Sequence, residues 1–337
     1  MAAAPSPELL VLHDGAAGNR RQAVALAEAW GLPFTELPLQ PRRPWRWAAP
    51  RKLPGAEHAF GAAFTARLAA APALAIGCGR QAALATRLLR ERGSRVVQIL
   101  DPRCPLRHWD LLLVPHHDGL QGPHVLGLHG SLNPVDAGWL AAARRHWPEG
   151  GNAPGPRRLL LVGGPTRACR WDAKALQGVL DALQAAQSRD GGTLWVSASR
   201  RTPAALLALL RQRLAGWGQL WASQADGPNP YPGWLAWAEA VVVTPDSANL
   251  LSEAAATGAP LWIAFPERAT GRLRGLVQHA LEGGRARAFE PALAVWPVRP
   301  WTETATLAAK AAARLGLQLP ETSAAHAAAI AADASAR

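Results

Sequence analysis

The sequence predicts an α/β protein made of two doubly wound, Rossmann-like domains facing a cleft. Three observations carry that expectation. Short apolar runs alternate with helix-length Ala/Leu segments along most of the chain, the pattern of parallel sheets covered by helices on both faces. The alternation stops once, in the Pro- and Gly-dense stretch WPEGGNAPGPRR of residues 147–158, and then restarts. Finally, 337 residues of which 49% are hydrophobic exceed one ordinary domain, and at roughly 150 residues per domain they suffice for two self-sufficient cores.

Taken in order, Leu9–His13 reads as a strand and Gly18–Trp30 as a helix. A strand at Ala73–Ile76, a helix at Arg80–Arg92 and a strand at Arg95–Leu100 follow. Leu111–Val114 and Val125–Leu128 are short strands before a helix near Val135–His146. Beyond the linker come strand Leu159–Val162, helix Asp172–Gln187, strand Thr193–Ser197, helix Pro203–Leu214 and strand Gln219–Ala222. Strand Ala240–Thr244, helix Ser247–Thr257 and strand Pro260–Phe265 complete the series. The expected division is residues 1–147, residues 158–320 and an Ala-rich tail over 321–337.

Composition narrows the function. The chain carries 36 Lys and Arg against 24 Asp and Glu, a formal charge of +12, which favours anionic partners: a phosphate-bearing ligand, a lipid headgroup or nucleic acid. Cys78, Cys104 and Cys169 are far apart and form no CxxC pair, so neither zinc nor a disulfide framework is expected, and a reducing cytoplasm fits. Met1–Pro7 lacks the basic start and apolar run of a secretion signal. No uninterrupted apolar stretch reaches the length of about 18 residues that a membrane span needs. The basic residues are scattered and match no nucleic-acid motif, so no nucleic-acid partner is expected.

In open parallel sheets, ligands sit at the carboxyl ends of the strands, so the loops there are the places to look for chemistry. The first is His13-Asp14-Gly15-Ala16-Ala17-Gly18-Asn19, a glycine-bearing turn into a helix; it suits an anion or polar oxygen, or simply a tight turn capped by Asn19. Gly163-Gly164 follows a strand of the second domain. Ser199-Arg200-Arg201 follows the next, where two adjacent arginines suit a diphosphate or, more plainly, one carboxylate partner and one solvated side chain. Thr244-Pro245-Asp246-Ser247 ends a Val-rich strand and starts a helix with Asp246 or Ser247 as N-cap, which puts Glu253 on the second turn. Five histidines between His108 and His129 lack the i, i+4 spacing and carboxylate partner of a metal site, so no metal is expected. Residues 40–55, QPRRPWRWAAPRKLPG, interleave Arg42, Arg43, Arg46, Arg51 and Lys52 with Trp45 and Trp47, a mixture suited to a membrane interface or to stacking on nucleotides, or more plainly to a solvated Pro-rich loop.

These loops, in this order, resemble the bacterial and plant family named for an elongated-mitochondria fission factor. The matching residues are Asp14-Gly15, Gly18-Asn19 and Gln22, then Gly79-Arg80, Gln98, Asp101-Pro102-Arg103, Pro115 and His117-Asp118. Gly163-Gly164, Trp171, Ser199 to Pro203, Asn229-Pro230-Tyr231, Thr244, Asp246-Ser247, Glu253-Ala254 and Gly258 complete the set, which spans Leu9 to Phe265. The first loop departs from the family by having Arg21 where a second Asn often stands.

The resemblance implies a two-domain fold similar to GT-B glycosyltransferases, with the first domain on the acceptor side and the second on the nucleotide-sugar side. It implies a metal-independent transfer from a nucleoside-diphosphate sugar, needing no cofactor, to a lipid-linked or membrane-surface acceptor. The expected location is cytoplasmic, peripheral on the inner face of the membrane. By the same resemblance Asp246-Ser247 receives the donor diphosphate and Glu253 the ribose hydroxyls; Gly163, Gly164, Ser199, Arg200 and Arg201, placed in neighbouring strand-end loops, complete the expected donor site. Asp14, His13 and His117 are the candidate bases. The alternative is a scaffold that keeps the fold without catalysis.

Overall fold

A computed structural model describes residues 8–320; the expected tail at 321–337 lies outside the described residues. The chain divides into two compact units, one comprising 8–134 and 303–320 and the other 135–302. The first contains β1 (Leu9–His13), α1 (Ala17–Trp30), β2 (Phe34–Pro38), α2 (Trp45–Ala48), α3 (Ala62–Ala69), β3 (Leu74–Cys78), α4 (Arg80–Arg90), β4 (Arg95–Ile99), β5 (Leu111–Pro115) and β6 (Val125–Leu128). The second contains α5 (Ala137–His146), α6 (Glu149–Asn152), β7 (Arg157–Val162), α7 (Ala173–Asp190), β8 (Thr193–Ala198), α8 (Ala204–Leu214) and β9 (Gln219–Trp221). It continues through α9 (Tyr231–Trp237), β10 (Ala240–Val243), α10 (Ala248–Ala255), β11 (Leu261–Ile263), α11 (Gly271–Glu282) and β12 (Ala286–Ala288), and α12 (Thr304–Leu315) returns to the first unit.

Both sheets are six-stranded and wholly parallel, ordered β2-β1-β3-β4-β5-β6 and β12-β11-β10-β7-β8-β9. Continuous apolar sequences make this possible. In β1, β3 and β5 every residue is buried, because helices cover both faces of the sheet. Each unit therefore has two core layers, one per sheet face. In the first, Leu9, Val11 and Ile76 face α1 and α12, while Leu10, Leu12 and Ala75 face α3 and α4.

The order also fixes where each sheet opens. The chain winds one way from β1 to β2 and the other way from β3 outward, so the crevice of the first unit lies between the ends of β1 and β3. In the second unit, by the same reasoning, it lies between β7 and β10.

Two boundaries differ from the sequence expectation. Residues 147–158 are not a linker but part of the second unit. Gly150 and Gly151 lie against the Trp237 indole so closely that a Cβ would come within 2.5 and 2.8 Å of it, and Trp237 Nε1 donates to the Trp147 carbonyl at 2.8 Å. The glycines are thus a packing surface for a ring. Residues 303–320 leave the second unit because α12 buries Leu307, Ala311 and Leu315 in the first core, where Trp30 Nε1 donates to the Ala308 carbonyl at 2.8 Å. The strands β2 and β12 and the helices α2, α3, α6, α9, α11 and α12 have no counterpart in the sequence reading. Pro38 in β2 and the Ala-rich composition of α12 weaken their periodic signals.

Candidate functional site

The second-unit crevice is built by three strand ends. After β7, the Gly163 amide donates to Thr244 Oγ1 and the Gly164 amide to Asp246 Oδ2, both at 2.8 Å. Neither glycine has room for a side chain. A Cβ on Gly163 would lie 1.8 Å from Asp246 Oδ2, and one on Gly164 would lie 2.1 Å from the Arg201 carbonyl. The backbone after β7 is thereby sandwiched between the loops after β8 and β10. Thr202 closes the β8 side by donating to the Gly163 carbonyl at 2.5 Å.

Asp246 sits at the centre of this packing, with its side chain fully enclosed. Besides the Gly164 amide it accepts from Trp171 Nε1 at 3.0 Å, and the Arg201 guanidinium stands 3.6 Å away. Burial pushes its carboxyl above the ordinary carboxylate range, against the pull of hydrogen bonds from Thr244, Gly164 and Trp171 and of the Arg201 charge. Asp246 is therefore not the helix cap and does not present its carboxylate to a ligand: its oxygens are spent holding the loops together. Ser247 is the N-cap of α10, its Oγ accepting from the Leu250 amide at 3.5 Å.

Arg201 is half-exposed, and its NH2 also reaches the Asp246 carbonyl at 3.5 Å, so it follows the plainer reading of one arginine on a carboxylate. Arg200 is exposed in the same turn, and Ser199 Oγ accepts from the Arg201 amide. Glu253 lies on the second turn of α10 and is buried, at 2% exposure. It accepts from the Tyr231 hydroxyl at 2.6 Å. That contact joins two helices 22 residues apart in sequence and was not deducible from spacing. Tyr231 is in turn set by Asn229, whose side chain accepts from its amide.

In the first unit, the three candidate bases do not form one cluster. His13 ends β1, buried, with Nδ1 accepting from the Gly15 amide at 3.1 Å and Nε2 3.4 Å from Glu36, which Arg20 also grips through two bonds of 2.6 and 2.7 Å. Asp14 is exposed and accepts from the Ala16 amide and the Asn19 side chain. Asn19 is thus inside α1 and not its cap, which is Ala16. His117 follows β5, three strand positions from β1 and so about 14 Å along the sheet. The β2 residue Glu36, which orients His13, went unrecognised because its strand did.

Among the described residues no group of three or more His, Cys, Asp or Glu side chains could hold a metal ion. A cavity of about 610 Å³ opens at the other, amino end of β10 and β11, between Leu235, Thr257, Pro260 and Trp296. Its two charged residues are engaged, Arg144 with the Ala236 carbonyl and Glu239 with Arg157, so it does not offer the polar groups of a ligand site.

Residues 17–315 match the family described as Mitochondrial fission ELM1. The Arabidopsis thaliana mitochondrial fission protein ELM1 is 28% identical over 269 residues, 71% of this chain and 63% of the plant protein, so this chain spans less than two thirds of that relative's length. MurG of Acinetobacter baumannii is similar in structure, with a TM-score of 0.50 at 15% identity, covering 86% of each chain. The UDP-GlcNAc 2-epimerase of Methanocaldococcus jannaschii is similar at a TM-score of 0.53 and 12% identity, over 84% of this chain and 89% of that one. At such identities the likeness is one of fold, the GT-B fold, which has two doubly wound units.

Proposed function

From the premise that this chain belongs to the mitochondrial fission ELM1 family, we propose that it binds a nucleoside-diphosphate sugar at the second-unit crevice and transfers the glycosyl group to an acceptor at a membrane surface. One observation carries the reading: the loops after β7, β8 and β10 meet at the sheet's switch point around glycines that admit no side chain, beside the start of α10 and its buried Glu253. The Gly163 and Gly164 amides are engaged with Thr244 and Asp246, so the packing supports the reading by fixing the start of α10, whose N-terminal amides suit a diphosphate. The UDP-sugar named for the structurally similar epimerase fits the same chemistry.

In this reading Ser247 and the α10 N-terminus receive the diphosphate, Arg200 supplies an exposed positive charge and Arg201 a tethered one. Glu253, oriented by Tyr231, accepts from the ribose hydroxyls. The acceptor is deprotonated by one of Asp14, His13 and His117. The site works in the cytoplasm, at the inner face of a membrane, and uses no metal or cofactor.

Calorimetry with a panel of nucleoside diphosphates and their sugars tests this. Glu253→Gln keeps the shape but loses a charge-assisted acceptor, so it should weaken ribonucleotide binding by about 1.5–3 kcal/mol and spare 2′,3′-dideoxy analogues. Tyr231→Phe should show the same selectivity with a smaller loss, since it frees the carboxylate to turn. Wild-type protein that binds no nucleotide or nucleotide sugar at millimolar concentration would leave the non-catalytic scaffold as the better account.

Replacing Arg200 and Arg201 with Ala gives a separate expectation. Binding of nucleoside diphosphates should fall by about tenfold or more, while that of nucleosides, which lack phosphate oxygens, stays level. Equal losses for both would mean that the β8 loop, which Arg201 helps to fix, has been disturbed instead.

A further inference from the structure

The Arg- and Trp-bearing residues 42–51 take a defined form on the first unit. Arg80, the first residue of α4, donates to the carbonyls of Arg46, Trp47 and Ala49 at 3.1–3.2 Å, and Gln81 donates to the Arg46 carbonyl at 2.9 Å. Trp45 is half-buried against the core layer beneath and donates to the Pro54 carbonyl. Trp47 instead points outward at 64% exposure, and among the described residues it is the one large aromatic so exposed. The Arg43 guanidinium stacks on it, 4.9 Å from the ring centroid. Arg42, Arg46 and Arg51 are exposed around it, and residues 40–55 contain no acidic side chain. Lys52 is engaged with Glu91 at 2.6 Å.

We propose that this surface is a membrane-docking face, in which Trp47 seats at headgroup level and Arg42, Arg43, Arg46 and Arg51 bind the phosphates of anionic lipid. An indole amid guanidinium groups suits the interfacial layer, where an apolar ring with a polar edge and cations with long stems are both satisfied. Single-stranded nucleic acid fits less well, because it needs several exposed rings to stack successive bases and this face has one. The backbone is already fixed by Arg80 and Gln81, so docking orders little that is not ordered beforehand. The inference deepens the membrane-surface part of the functional reading. It is tested without nucleotide, so its failure leaves the donor site untouched.

The test is co-sedimentation of the full chain with vesicles of phosphatidylcholine alone and of phosphatidylcholine with phosphatidylglycerol. Sedimentation should require the anionic lipid and decline with added salt. Each arginine removed should lower the partition coefficient about fivefold, so Arg43→Ser, Arg46→Ser and Arg51→Ser together should lower it by about two orders of magnitude. Trp47→Ala should lower it further at high salt, where the charge contribution is screened. Arg46→Glu, a single exposed change with an expected wild-type melting temperature, should release the protein by more than the fivefold of one arginine. Equal sedimentation with neutral and anionic vesicles would overturn the proposal. So would variants with unaltered vesicle binding, including the case in which they lose binding to a single-stranded oligonucleotide.

Discussion

Asp246→Ala is expected to destabilise the second unit by about 3–5 kcal/mol, the largest effect of any single change at the candidate site. The carboxylate is fully enclosed, and its removal orphans the Gly164 amide and the Trp171 indole N–H, each of which then costs about 1–3 kcal/mol as a buried donor without an acceptor. The Arg201 partner adds little to this cost because it is half-exposed and water can replace the carboxylate there. Asp246→Asn should fall between the two, since its carbonyl oxygen can still accept from one of the donors. Urea denaturation gives the comparison directly. An Ala variant as stable as the wild type would mean that the loops after β7 and β10 are held by Thr202 and Thr244 without the carboxylate. Gly163→Ala should fail in a related way, because the added Cβ would overlap the oxygen that Asp246 turns toward the loop.

The second large expectation concerns pH. Glu303 sits at the start of α12 and accepts from the amides of His129 and Gly130, while Thr304 and Asn133 exchange two hydrogen bonds beside it. Burial outweighs those donors and pushes its carboxyl up to about 7, against an ordinary value of 4.5. The folded first unit therefore holds a proton that the unfolded chain releases. The corresponding stability is fully present below about pH 4.5 and is lost as pH rises through about 7, a change of about 3 kcal/mol. Melting curves of the wild type across that range should show this decline over and above the other titrations, and Glu303→Gln, which cannot ionise, should remove it. Parallel pH profiles for the two proteins would show that the carboxyl is ordinary and that the anchor of α12 is not proton-linked.

The sequence by itself determined the layers and the loops that follow the strands. Runs such as LLVL of residues 9–12 in β1 and LLLVP in β5 are apolar, short and bounded by turn residues, the pattern of strands buried on both faces, so the parallel sheets and the strand-end loops followed. Periodicity and short spacing are local quantities, and they placed Gly163-Gly164 after β7, Ser247 at the cap of α10 and Glu253 on that helix's second turn. What they could not supply is partnership across the chain. Glu253 meets Tyr231, Asp246 closes on Gly164 and Trp171, and His13 faces Glu36 only because the parallel sheet order brings segments distant in sequence together. For the same reason Asp246 looked like a ligand contact and is a buried strut. The boundaries were likewise decided by packing: Gly150 and Gly151 have the composition of a linker, yet the lack of a Cβ lets Trp237 lie on them. The Ala-rich α12 left no strong pattern, but its small residues fit close against Trp30, and that fit returns the chain to the first core.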